Sequence, residues 1–122
     1  MELKILDCNF TVCKIKDIKN VDFTDEFVFV GKTDEELSLV CRSGKTPEDP
    51  IAVEEGWRGF RVQGELDFSL IGILSKLSSI LAENGISIFA ISTFNTDYIL
   101  VKEDKFDAAV VALRENGYDM IQ

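Results

Sequence analysis

Between Leu70 and Leu81 the apolar residues Leu70, Ile73, Leu74, Leu77, Ile80 and Leu81 recur at the spacing of one face of an α-helix. The pattern then switches. Asn84-Gly85 is a helix stop, and Ile86 to Thr93 is almost wholly apolar, the mark of a buried strand. Phe94-Asn95-Thr96-Asp97 turns the chain, and Tyr98 to Lys102 returns it as a hairpin partner. A second helical face follows over Glu103 to Asn116, carried by Phe106, Ala109, Val110 and Leu113 and ended by Gly117. Tyr118 to Ile121 closes as a short strand, and Trp57 to Gln63 opens the series as another. That order is β-α-β-β-α-β. It predicts an α+β, ferredoxin-like unit over residues 56–122, with two helices on one face of an antiparallel sheet.

Residues 1–55 follow a different rule. Leu3 and Ile5 alternate with Lys4 and Leu6, and Phe10, Val12 and Lys14 alternate with Thr11, Cys13 and Ile15. Phe27-Val28-Phe29-Val30 reads as a buried strand ended by Gly31, Thr33-Asp34-Glu35-Glu36 as a turn, and Leu37 to Cys41 as a further strand. Only Lys16 to Val21 has room for a short helical piece. Ser43 to Pro50 concentrates glycine and both prolines and reads as a linker. The expected organisation is a strand-rich unit over 1–55 and the helix-bearing unit over 56–122.

Composition narrows the chemistry. A chain of 122 residues holds one ordinary domain or two very small ones, and 46% hydrophobic with 29% charged residues is a globular balance. No window approaches the apolar span of a membrane helix, and Met1-Glu2-Leu3-Lys4 lacks the layout of a signal peptide. A cytoplasmic protein is expected. A net charge of −9 repels nucleic acid and anionic membrane, so neither is an expected partner. The absence of histidine removes the usual general base and the commonest metal ligand, which favours a non-catalytic protein without cofactor or metal. Cys8, Cys13 and Cys41 form an odd set without CxxC spacing and read as small hydrophobes.

The βαββαβ topology serves many functions, so details must decide. Arg58, Phe60 and Arg61 faintly resemble an RNA-binding strand but lack basic surroundings. The loop from Gly64 to Ser69 has neither the cysteine pair of metal transport nor the arginine that would hold an acyl phosphate. Gly31-Lys32-Thr33 and Gly44-Lys45-Thr46 lack the earlier glycine of a P-loop and read as turns. Two places remain. The loop Gly64 to Ser69 leads into a helix N-terminus, whose free amides favour a carboxylate. The turn Thr93 to Asp97 carries a carboxylate and hydroxyls suited to an ammonium or guanidinium group. Together they would grip a zwitterion at both ends. The plainer reading, in which Asp67 caps the helix and Asn95 and Asp97 build the turn, stands beside it.

The run from Gly85 through Ile88-Phe89-Ala90-Ile91-Ser92-Thr93-Phe94-Asn95-Thr96-Asp97 to Val101 resembles the signature of an ACT-domain family. This family comprises the short bacterial tandem-ACT proteins related to the cytosolic arginine sensors of animals, the CASTOR proteins. Glu55-Gly56-Trp57-Arg58, Phe68-Ser69-Leu70 and Thr33 to Ser38 are similar to the same proteins, so the resemblance spans nearly the whole chain. It implies two ACT units, the first abbreviated, and a ligand held where ACT units meet. Thr93, Phe94 and Asp97 match the turn that faces the ligand in the arginine sensors, with the aspartate toward the guanidinium. Leu70 stands where those sensors place a glutamate, and Asp67 where they place a glycine; Gly72 and Ile73 match. The candidate ligand-binding set is Asp67, Phe68, Ser69, Leu70, Ile73, Thr93, Phe94, Asn95 and Asp97. The expected function is amino-acid binding by a regulatory homodimer in which equivalent ACT units pair. The alternative is an interaction module that has lost its ligand.

Overall fold

The computed structural model describes residues 1–63 and 72–122. Seven strands and two α-helices follow one another as β1 (Glu2–Lys14), β2 (Val28–Lys32), β3 (Leu37–Arg42), β4 (Ala52–Val62), α1 (Ile73–Glu83), β5 (Ile88–Ser92), β6 (Asp97–Lys102), α2 (Phe106–Glu115) and β7 (Asp119–Ile121). Single 3₁₀ turns occupy Ile18–Asn20 and Glu103–Lys105. The chain divides into two compact units. Met1–Asp7 joins Arg58–Gln122, and Cys8–Trp57 forms the other. β1 and β4 therefore each contribute residues to both units.

In the first unit the strands run in the order β7-β1-β4-β6-β5. β5 and β6 form the expected antiparallel hairpin, from Ile88 opposite Val101 to Ser92 opposite Asp97. β7 does not complete an all-antiparallel sheet. It lies parallel to β1, with Glu2 opposite Asp119 and Lys4 opposite Ile121. The reason is burial: Leu3 is wholly buried and Ile5 nearly so, in the same core as the two helices. Leu77 and Leu81 of α1 and Phe106, Ala109 and Leu113 of α2 meet Phe60, Val62, Ile99 and Val101 there. Burying each large apolar side chain completely contributes about 1.5–3 kcal/mol. The guanidinium of Arg58 lies 4.3 Å from the centre of the Phe106 ring and covers one side of this core.

Both helices end by the same device. The Ile86 amide donates to the Leu81 carbonyl at 2.9 Å and the Gly85 amide to Ala82 at 3.0 Å; Tyr118 and Gly117 repeat this on Leu113 and Arg114. Gly85 and Gly117 take positive φ angles of 72° and 89°, which a side chain would oppose. Ile86 thus belongs to the end of α1 and packs into the core, while β5 begins two residues later. At its other end α1 starts after Gly72, which has no side chain to offer as a cap. The expected cap Asp67 lies outside the described residues.

The second unit has the strand order β2-β3-β1-β4 and contains no α-helix. β3 pairs antiparallel with β1, Cys13 opposite Leu39, and with β2, Val30 opposite Leu39. Its core is small: Cys13, Ile15, Val21, Leu39 and Cys41. Burial pushes the Cys13 thiol up to about 11 and raises Cys41 as well, so both stay protonated and pack as small apolar groups. Polar contacts hold the loops. Arg42 grips Asp25 with two donors, Nε to Oδ2 at 2.9 Å and Nη2 to Oδ1. Lys45 Nζ lies 3.7 Å from Asp22, and the hydroxyls of Thr11 and Ser43 are 3.0 Å apart. Among the described residues no helix is long and apolar enough to cross a membrane.

Candidate functional site

The turn between β5 and β6 is built around Thr93. Its amide donates to the Thr96 carbonyl at 2.8 Å, its hydroxyl donates to the same carbonyl at 3.0 Å, and the Thr96 amide returns to that hydroxyl at 3.3 Å. Thr96 in turn is buried, and its hydroxyl donates to the Val62 carbonyl at 2.6 Å. This bond fixes the turn against the last residue of β4, where the chain leaves toward residues 64–71. The sequence pattern marked Thr96 as a turn residue but not this role. A threonine in a turn gives no sign of which distant carbonyl it will meet.

Asp97 is half-buried at the first position of β6. Its Oδ1 accepts the Ser92 hydroxyl at 2.6 Å, across the hairpin pair Ser92 and Asp97. A carboxylate held this way has one oxygen engaged and a fixed direction, the arrangement suited to a cationic group. Ser92 was absent from the expected set, although the hairpin register alone puts it opposite Asp97. Phe94 stands at the tip of the turn, 83% exposed, beside the exposed Asn95.

Asp67, Phe68, Ser69 and Leu70 lie outside the described residues. Ile73 packs against the core and lines an open cleft of about 840 Å³ with Lys76, Ile80, Glu83 and Tyr118; none of the turn residues lines that cleft. The structure thus brings Thr93, Phe94, Asn95 and Asp97 together and places Ile73 in a separate setting. Among the described residues no group of His, Cys, Asp and Glu has the closeness of a metal site. Phe60, the aromatic of the RNA-binding alternative, is wholly buried with its ring 6.5 Å from that of Phe106, and cannot stack on a base.

Sheet order, paired helices and an anchored hairpin turn define a ferredoxin-like α+β protein with a strand-rich companion unit. Comparison with known proteins supplies the family. The sequence model of the ACT domain matches residues 52–115, more than half of the chain, and the chain belongs to the ACT-domain family. It is 39% identical over 79 residues, 60% of its length, to the cytosolic arginine sensor for mTORC1 subunit 1 of Bos taurus. The human protein of the same name is 39% identical over 74 residues, 57% of the chain. The chain spans about a quarter of the length of these sensors, 24% and 22% respectively. A crystal structure of a protein from Agobacterium tumefaciens is 32% identical and superimposes with a TM-score of 0.87, covering 98% of this chain and 91% of that one. Aspartate kinase of Clostridium acetobutylicum shares the fold alone, with a TM-score of 0.64 at 17% identity over 91% of this chain and 32% of the enzyme.

Proposed function

We propose that this protein is a non-catalytic regulatory protein that binds an amino acid, or a similar small zwitterion, and works as a cytoplasmic homodimer. The observation that carries the reading is the carboxylate of Asp97, aimed by Ser92 on a turn that Thr96 ties to the end of β4. Kinship to proteins named as arginine sensors supports an amino-acid ligand. In this reading Asp97, with Thr93, Phe94 and Asn95, receives the cationic end of the ligand. The sequence resemblance assigns Asp67, Phe68, Ser69 and Leu70 to the same ligand, whereas Ile73, the fifth residue it assigns, lies in the separate cleft. Leu70 offers no charge to an amino group, so Asp67 takes that part, and the ligand need not be arginine. Ligand binding would then favour one arrangement of the two copies over another, which is all that regulation requires energetically.

The test is a thermal-shift screen of the twenty amino acids against the wild type and Asp97→Ala. A ligand that binds only the folded state stabilises it by about 2.7 kcal/mol at a concentration one hundred times Kd. A shift from one or two amino acids, lost in Asp97→Ala, is the expected result; no shift from any of them would sink the sensor reading. One observation favours a second reading. Phe94 is too exposed at 83% to be serving the core, and such an aromatic also suits a protein surface. An ACT-like interaction module without ligand would keep Phe94 essential for partner binding while Asp97→Ala left that binding intact.

A further inference from the structure

Among the described residues two polar side chains are buried, Thr11 and Thr96. Thr96 has the odder setting, because Ser92, Thr93, Phe94 and Asn95 just before it are all exposed. A buried hydroxyl needs a partner. The Thr96 amide is engaged within the turn, on the Thr93 hydroxyl at 3.3 Å, so it is the Thr96 hydroxyl that reaches the Val62 carbonyl, at 2.6 Å. That anchor is itself fixed. Val62 is wholly buried, and the next amide, of Gln63, donates to the Glu2 carbonyl at 2.9 Å. The bonds of Thr93 with Thr96, and of Ser92 with Asp97, close within the hairpin. They set the shape of the turn and the aim of the carboxylate, but not where either stands against β4. The pairing of β6 with β4 begins no earlier than Asp97, the first residue of β6. Thr96 carries that hold one residue further, into the turn.

We propose that Thr96 is a positioning residue of the ligand site and acts through Asp97. Its hydroxyl bond to Val62 sets where the carboxylate stands to receive a cationic group, and amino-acid affinity depends on that bond apart from any effect on stability. The inference rests on the amino-acid-binding reading above and adds to it a residue that touches no ligand. The two residues are neighbours, with Cα atoms about 3.8 Å apart, so a shift of one moves the other. A charged hydrogen bond weakens steeply with distance and angle, which makes such a shift costly to binding. Valine copies the shape of threonine but leaves the buried Val62 carbonyl without this donor, and the turn must move for water to reach it. Serine keeps the hydroxyl. Alanine removes it and leaves room for a water in its place.

Isothermal titration of the twenty free amino acids, each in turn, into the full chain tests this well below the melting temperature, where affinity is read on folded protein. The variants are Thr96→Val, Thr96→Ala, Thr96→Ser, Thr11→Val and Asp97→Ala. An amino acid that binds the wild type should bind Thr96→Val and Thr96→Ala about tenfold more weakly, and Thr96→Ser nearly as well as the wild type. Alanine supplies the comparison where valine does not fold. Thr11→Val is the control: it removes the other buried hydroxyl, paired with that of Ser43 at 3.0 Å in the helix-free unit, and should lower the melting temperature without changing affinity. Wild-type affinity in Thr96→Val or Thr96→Ala, with binding lost in Asp97→Ala, overturns the positioning role and leaves the amino-acid reading standing. A serine variant no better than the alanine one, or a Thr11→Val protein that loses affinity in step with its stability, overturns it as well. No binding by the wild type, or binding that Asp97→Ala leaves intact, overturns the reading and the inference together.

Discussion

The two hairpins, β2–β3 in the second unit and β5–β6 in the first, are built alike and serve differently. Lys32 pairs with Leu37 as Ser92 pairs with Asp97, and Val30 pairs with Leu39 as Ala90 pairs with Ile99. Each turn opens on a threonine. The Thr33 amide donates to the Glu36 carbonyl at 2.9 Å, as the Thr93 amide donates to Thr96 at 2.8 Å, and each threonine hydroxyl accepts an amide from its own turn. The threonine is therefore a turn-building residue in both places, whatever else Thr93 does. The contrast lies in the neighbours. Where β5–β6 has the Ser92 and Asp97 hydrogen bond, β2–β3 has Lys32 and Leu37; where Thr96 is buried and tethered to Val62, Glu36 is exposed. What separates a candidate site from a plain turn is thus a pair of side chains and one tether on a common scaffold.

Several substitutions break or sharpen this contrast. The largest effects should come from the matched core positions. Ile99→Ala is expected to cost about 3–4 kcal/mol and Leu39→Ala about 2–3 kcal/mol in urea denaturation, because a cavity under packed helices collapses less than one in a small core without helices. Equal costs would mean that the helix-free core is as rigid as the other. Next comes the tether: Thr96→Val removes the hydroxyl that Val62 receives in a buried place, and should lose about 1–3 kcal/mol. Its counterpart Glu36→Ala should stay within about 0.5 kcal/mol of the wild type. Thr33→Ala and Thr93→Ala should each lose about 0.5–1 kcal/mol, alike within error, while Thr93→Ala alone alters a ligand-induced shift. A markedly larger loss at Thr93 would show that the two turns are not one scaffold.

The smallest expected effect is one of pH. Hydrogen bonds from Arg42 hold the Asp25 carboxyl below its ordinary value of 3.8. A lowered folded-state value means stability that is fully present above the unfolded value and lost as pH falls through the folded one. Acid melting of the wild type should therefore show a loss below about pH 4 that is smaller in Asp25→Asn, the remainder including that of Asp22, which Thr24 also holds low. An unchanged acid profile in that variant would remove the Arg42 and Asp25 clasp from the account of how the helix-free unit is held.

Much of this was legible along the chain. The alternation and turn chemistry set both hairpins, and the apolar spacing with Asn84-Gly85 and Gly117 set the inner faces and ends of both helices. Such signals are local, since each depends on residues a turn or a strand apart. What escaped is non-local. Nothing in Leu3 or Ile5 says that they pack under helices formed some seventy to a hundred residues later, and nothing in Met120 says that it pairs in parallel with Leu3. The site divides in the same way. The composition of the turn marked Asp97, whereas the Thr96 bond to Val62 could be seen only once β4 and the turn were side by side.

The parallel pairing of residues 2–4 with residues 119–121 bears on how the protein is made. A contact between segments so far apart closes a very long loop, which lowers the rate at which it forms. On the ribosome the helix-bearing unit cannot complete its sheet until residue 121 has emerged, whereas every hydrogen bond between β1, β2 and β3 joins residues within the first few dozen of the chain. The helix-free hairpin with its ionic clasp is thus available early, and the N-terminal half of β1 waits with one edge open until residues 119–121 have been made. Chaperone dependence should accordingly track that interval of synthesis and not the size of either core.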